Sequence, residues 1–304
     1  MNCHARTCVL AASLGALATA CANPNAGKAP LVATTAPPPT IQIGRCAGIA
    51  DLEASKAAGF EYVELGTSDI AKLTDVEFEE ALAKHRAVGL PTPVANLFLP
   101  ADLRIVGPEV DPPRQHDYVE LAFARVAKLG VKIVVFGSGK ARNVPEGWSQ
   151  DSGWTQIVDF AKRIAPIAKK NGIVVAVEPL RKQETNIVNS AAQGLKWVKE
   201  VNHPNFQLMV DFYHLASENE DPSILLTARD HIKHFHIANP NERVYPRNPS
   251  EYDYSGFFAN LKKMGFRGGI SVEAKTQDFA SDAPAAIAFL RAQLGRSASA
   301  IAAK

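Results

Sequence analysis

Glu178, Asp211, His236 and Glu273 each stand at the end of a short, largely apolar run: residues 173–177, 206–210, 231–235 and 268–272. Runs of this length and content predict buried parallel strands. An ionisable group at the end of such a strand is costly to bury. Four of them in succession imply one place where the strands converge and that cost is offset. A solvated carboxylate or a core histidine would explain any one of the four, but not all four in phase. Three carboxylates and one imidazole form a hard, oxygen-rich donor set for a single divalent cation. Mn²⁺ is preferred, with Mg²⁺, Co²⁺ or Zn²⁺ as alternatives, and about two of six coordination positions would stay open.

The rest of the chain shows what must hold these groups. Strand-like runs cover residues 41–49, 62–66, 93–99, 132–137, 173–180, 206–212, 232–238 and 269–275. Helix-like stretches lie between them at 51–58, 75–88, 116–129, 155–170, 191–201, 222–229, 255–264 and 284–294. Pro166 predicts a kink, and Pro222 and Pro284 predict first helical positions. Gly59, Gly89, Gly130, Gly172 and Gly265 close helices where a left-handed cap is expected. This alternation predicts an α/β chain folded as a single-domain (β/α)₈ TIM barrel. An open doubly wound sheet would call for a glycine-rich phosphate turn after its first strand, and residues 46–49 carry none. Alternate strand residues face the barrel interior. Val174, Ala176 and Glu178 then share the inner face, as do Gln207, Met209 and Asp211, His234 and His236, and Ser271 and Glu273. All four groups fall at the C-terminal mouth, where barrel active sites lie.

Composition fits an ordinary globular domain: 46% hydrophobic, 21% charged, net charge +2 over 304 residues. That balance gives no electrostatic case for nucleic acid as a partner. Residues 1–20 read as a lipoprotein signal peptide, with Arg6 in a thin basic start, an uncharged stretch, and small residues before Cys21. A plain secretory signal is the alternative. Residues 21–40, rich in Pro and Ala, read as a linker, residues 41–296 as the catalytic barrel and 297–304 as a tail. The expected address is extracytoplasmic, with membrane contact only through a lipid on Cys21. Cys46 is the one cysteine left for the barrel, so no disulfide is expected within it, and it reads as a buried filler. In the fourth loop, Gly137, Gly139, Lys140 and Arg142 could cradle an anion or merely form a flexible basic loop. Trp148 and Trp154 read as packing for that region rather than as a lid.

These residues resemble the xylose isomerase-like TIM-barrel superfamily of sugar isomerases and epimerases, especially its ketose 3-epimerase and inosose-type branches. The resemblance runs from about Ile41 to about Leu294. It implies one divalent metal held by Glu178 in Val177-Glu178-Pro179, Asp211 in Asp211-Phe212-Tyr213-His214, His236 in His234-Phe235-His236 and Glu273 in Val272-Glu273-Ala274. It further implies Glu178 and Glu273 as a catalytic pair that moves a proton beside a keto group, through an enediolate stabilised by the metal. His214, Glu184 and Arg243 match the family's substrate-binding positions, Arg243 with a spacing one residue longer than the epimerase pattern. Asn96 and Lys140, at the ends of strands three and four, are further substrate-binding candidates. The chain lacks the extra histidines and the D-x-H of the apurinic endonucleases that share the barrel. It also shows no second ligand cluster of the true xylose isomerase kind, and Lys275 reads as a solvated strand-end residue. The expected substrate is a keto-sugar or inosose, and an oligomer is compatible with the sequence. Two rivals stay open: a lyase cleaving 3-keto-glycosides by the same chemistry, and a non-catalytic sugar-binding lipoprotein.

Overall fold

Eight parallel strands close on themselves in sequence order, with β1 paired to both β2 and β8. They are β1 (Gln42–Cys46), β2 (Tyr62–Gly66), β3 (Val94–Asn96), β4 (Ile133–Phe136), β5 (Val174–Val177), β6 (Phe206–Asp211), β7 (Ile232–Ile237) and β8 (Gly269–Val272). The computed structural model describes residues 41–295. The expected signal peptide, linker, lipidated Cys21 and tail lie outside the described residues. All eight expected strands are present, so the chain is a single-domain TIM barrel. Several are shorter than expected at their C-terminal ends, because those residues turn out of the ladder to form the mouth.

The outer helices follow from local signals. Thr74 caps the helix Asp75–Val88 in a reciprocal box with Glu77. The helix Pro112–Lys128 begins four residues earlier than the sequence suggested, because Asp111 caps it and Pro112 suits its first turn. Ser149 likewise starts the helix Gln150–Lys170 five residues early, and that helix continues through Pro166. The two other prolines depart from expectation. Pro222 lies in the turn before Ile224–Ala228, and Pro284 lies inside Phe279–Gln293, whose start is set by the Asp278 cap. Trp154 packs outside the barrel, donating to Glu200 at 2.7 Å with Lys196 over its ring. Among the described residues no helix is long and apolar enough to cross a membrane.

Two features of the interior set up the mouth. Tyr62 fills the lower barrel beside Val94, Val135, Ala176 and Met209. It fits only because β1 and β8 carry glycine there: a Cβ on Gly44 would lie 2.2 Å from the Tyr62 ring, and one on Gly269 would lie 2.6 Å from its hydroxyl. The second feature is a register slip between β6 and β7. Leu208 pairs with Ile232 but Met209 pairs with His234, so Lys233 is an extra residue on β7. Beyond the slip, Asp211 stands beside His236.

Candidate active site

The four strand-end groups meet. One ligand atom each from Glu178, Asp211, His236 and Glu273 lies within 4.8 Å of all the others. His236 Nδ1 is 3.5 Å from Glu178 Oε1 and 3.3 Å from Glu273 Oε2. Glu178, Asp211 and His236 are buried, and Glu273 is partly exposed. Buried polar atoms normally have partners, yet Glu178 Oε1 and His236 Nδ1 have no hydrogen-bond partner. A cation held by the four groups would satisfy both, so the residues fit a metal. Their electrostatics agree. Burial pushes the Asp211 carboxyl up to about 7, against the pull of Arg243. Burial and the neighbouring Glu273 also push Glu178 up, while His236 and Arg243 keep Glu273 low despite its partial burial. More positive charge is needed to hold all three carboxylates ionised.

Asp211 divides its two oxygens. Oδ1 accepts from the Tyr213 amide at 2.9 Å and caps the short helix Phe212–Ser217, which leaves Oδ2 to the site. The same helix turn brings His214 round, with Nε2 3.6 Å from Asp211 Oδ2 and 3.8 Å from Glu178 Oε1. The Arg181 amide donates to His214 Nδ1 at 3.3 Å, so Nε2 carries the proton and points it into the site. Burial, with Arg243 nearby, lowers the His214 pKa to about 3 and keeps the ring neutral. Arg243 lies across the carboxylates, 2.5 Å from Glu273 Oε2, 3.5 Å from Asp211 Oδ2 and 3.4 Å from Glu184 Oε1. A tight turn aims it there. Glu242 and Arg243 both have positive φ, and bridges from Val244 to Asn239 and Lys275 pin the turn. Asn96 donates to Glu273 Oε1 at 3.0 Å. Lys140 is exposed at the edge of the cavity of about 270 Å³ that Glu178, Glu184, Arg243, Glu273 and Asn96 also line. Every site residue expected from the sequence is therefore at or beside this one cavity.

The fourth loop differs from both of its sequence readings. Arg142 turns inward, fully buried, and donates to the carbonyls of Phe136 and Glu178 at 3.1 and 2.8 Å, so it ties the ends of β4 and β5 together. The glycines admit neighbours rather than an anion. A Cβ on Gly137 would lie 2.4 Å from Glu178 Oε2, and one on Gly139 would lie 2.5 Å from the Glu184 carbonyl oxygen.

Several site residues escaped the sequence reading. Glu64, in the middle of β2, is fully buried and accepts from Ser271, His234 and His236 at 2.6, 2.9 and 2.9 Å. Burial alone would raise its pKa, but the two imidazoles overcome this and hold it well below the usual carboxylate range. Its only sequence signal is an acidic residue in an otherwise apolar strand. Cys46 is half-buried rather than a core filler, and its Sγ lies 4.0 Å from His236 Nε2. Tyr213 lies under the guanidinium groups of Arg243 and Arg181, 4.6 and 5.0 Å from its ring centre.

A profile of the family described as Xylose isomerase-like TIM barrel matches residues 52–293, and the chain belongs to that family. Its relatives include L-ribulose 3-epimerase of Methylomonas sp. (strain DH-1), 29% identical over 223 residues, which are 71% of this chain and 74% of the relative. Another is 3-dehydro-D-guloside 4-epimerase of Escherichia coli (strain K12), 26% identical over 152 residues, 45% and 57% of the two chains. Among solved structures, D-psicose 3-epimerase in the presence of D-fructose aligns with a TM-score of 0.75 at 20% identity, over 84% of this chain and 100% of that one. The apo form of 3-keto-D-glucoside 4-epimerase from E. coli aligns with a TM-score of 0.71 at 22% identity, over 83% and 99%. The two structural likenesses establish the fold. The sequence relatives mark the chain as an isomerase-type enzyme, which sets aside a purely sugar-binding role.

Proposed function

We propose that this protein is a metal-dependent epimerase or isomerase of a keto-sugar, with Glu178 and Glu273 as its two proton-transfer groups. The observation that carries this reading is the buried convergence of Glu178, Asp211, His236 and Glu273 within 4.8 Å. The four would hold one divalent cation, which when bound would polarise the substrate carbonyl and offset negative charge developing on its oxygen. Strand order sets Glu178 just after β5 and Glu273 just after β8, on the two flanks of the β6–β7 pair that carries Asp211 and His236. One carboxylate takes the proton from the carbon next to the carbonyl as that C–H bond becomes a C=C bond. The other returns a proton to the opposite face, which inverts the carbon, or to the neighbouring carbon, which moves the carbonyl as the hydroxyl proton passes to the former carbonyl oxygen. His214 offers an N–H and Arg243 a guanidinium to the substrate oxygens, with Glu184 as an acceptor for a hydroxyl. Asn96 steadies Glu273, and Lys140 sits where it can reach a distal hydroxyl.

The test is a panel of ketohexoses, inososes and 3-keto-glycosides, incubated in D₂O with added Mn²⁺, freed of metal and read by NMR. Deuterium at the carbon beside the carbonyl is expected for at least one class. No exchange from any member with metal-loaded protein would sink the reading. A second reading is supported by the likeness, in sequence and in fold, to keto-glycoside 4-epimerase of E. coli. The same proton abstraction at C2 of a 3-keto-glycoside could expel the C1 oxygen, forming a C1–C2 double bond and releasing the aglycone once it gains a proton. Free aglycone in the same panel would identify that lyase. We also propose that lipidation at Cys21 holds the enzyme outside the cytoplasm. Labelled palmitate should enter the wild-type chain and not Cys21→Ser, and equal labelling would refute the anchor.

A further inference from the structure

The barrel interior below the site holds a polar chain that the chemistry above does not use. His236 faces two ways. Its Nδ1 points toward Glu178 and Glu273, and its Nε2 lies 2.9 Å from Glu64 Oε1. Glu64 Oε2 accepts from Ser271 Oγ at 2.6 Å and lies 2.9 Å from His234 Nε2, and the Tyr62 hydroxyl lies 2.9 Å from Ser271 Oγ. Glu64, His234, His236 and Ser271 are each 0% exposed, so water cannot stand in for any of these bonds.

We propose that Glu64 is a positioning residue that locks His236 in the tautomer with the proton on Nε2, so that the Nδ1 lone pair faces the carboxylate cluster. An ionised carboxylate only accepts hydrogen bonds, so the atom 2.9 Å from Glu64 Oε1 must be an N–H. Whenever the ring is neutral its proton therefore stays on Nε2, and its only lone pair falls on Nδ1, the atom left without a partner. Glu64 is itself held by two donors on its other oxygen, Ser271 from β8 and His234 from β7. The ring therefore cannot flip or exchange tautomers without breaking a buried charge-assisted bond. The proposal rests on the reading that His236 is a metal ligand. It adds that cation affinity is set partly from β2, on the far side of the barrel from the four ligand strands.

Two measurements on the full-length protein test it. The first is the tautomer of His236 without metal, at a pH where its ring is neutral, from ¹⁵N correlation spectra of the imidazoles, assigned by the loss of one ring's signals in His236→Asn. The wild type should show proton on Nε2, and Glu64→Ala should show a mixture or proton on Nδ1. The second is Mn²⁺ affinity by calorimetry. Glu64→Ala should weaken it by about 10–100-fold, the usual effect of losing the partner behind a ligating histidine. Glu64→Gln, which keeps one acceptor oxygen, should fall between and serves if the alanine variant does not fold. Tyr62→Phe removes a bond from the same chain without touching His236, and should lower stability while leaving affinity and tautomer unchanged. Folded Glu64 variants with wild-type affinity and tautomer would overturn the proposal. So would Tyr62→Phe weakening Mn²⁺ binding as much as they do, since the network would then act only through stability. Wild-type protein that binds no Mn²⁺ would instead refute the metal reading, and the tautomer measurement would still judge Glu64.

Discussion

The two halves of the barrel divide the work of the site. Strands β5–β8 supply the four groups that converge at the mouth, each at or just past a strand end. Strands β1–β4 supply none of those four. They contribute Glu64 behind His236, Asn96 against Glu273, Arg142 across the β4 and β5 carbonyls, and glycines that let Glu178 and Glu184 come close. On the proposed reading, one half carries the reactive and ligating atoms, and the other fixes where those atoms can be. The two kinds of contribution should therefore fail differently when altered.

The largest effect is expected at Glu273. Glu273→Gln keeps an oxygen facing the cluster but cannot take a proton, so turnover should fall by on the order of 10³-fold while much of the metal stays bound. Near-normal solvent exchange in that variant would remove the two-carboxylate scheme. Asp211→Ala should act on the metal itself. It removes a ligand atom and the cap of the helix that carries His214. Mn²⁺ affinity should fall by more than the roughly 10–100-fold expected from losing an outer partner, as read by calorimetry. In the other half, Gly139→Ala places a methyl group against the Glu184 carbonyl oxygen, an atom of the backbone that cannot swing aside. About 1–3 kcal/mol of stability should be lost by denaturant melt, with metal affinity close to wild type. A large loss of affinity there would blur the division between the halves. The smallest effect is expected at Lys140, exposed at the edge of the cavity. Lys140→Ala should change stability by no more than about 0.5 kcal/mol and should raise KM without lowering kcat. A fall in kcat would move Lys140 into the chemistry.

The same division explains what could be read from the sequence. Glu178, Asp211, His236 and Glu273 stood out because each interrupts an apolar run at the point where a barrel strand reaches its mouth. Their inward phase followed from period-two alternation, and the fold followed from eight repeats of strand and helix. Glu64 obeys the same alternation, but it sits inside Tyr62–Gly66 rather than at its end. Its partners lie 170 and 172 residues away on β7, and no local pattern links such distant positions. The fourth loop was misread for a related reason. Composition reveals two glycines and two cations, but not that Arg142 turns under the strands while Lys140 turns outward. The helix starts at Asp111 and Ser149 are set by capping residues that lie ahead of the hydrophobic spacing, so that spacing alone places both starts too late.

The surplus residue on β7 has an effect out of proportion to its size. Side chains alternate strictly along a strand, so one unpaired position reverses the facing of all that follow it. Ile232 belongs to the outer apolar layer, and strict alternation from it would send Phe235 into the lumen and both imidazoles out among the helices. Lys233 cancels that parity. The mouth therefore depends on Lys233 being taken up as a bulge: paired as a regular rung it would turn His234 and His236 out of the barrel together, whereas deleting it would leave His234 next to Ile232 with both imidazoles still facing inward.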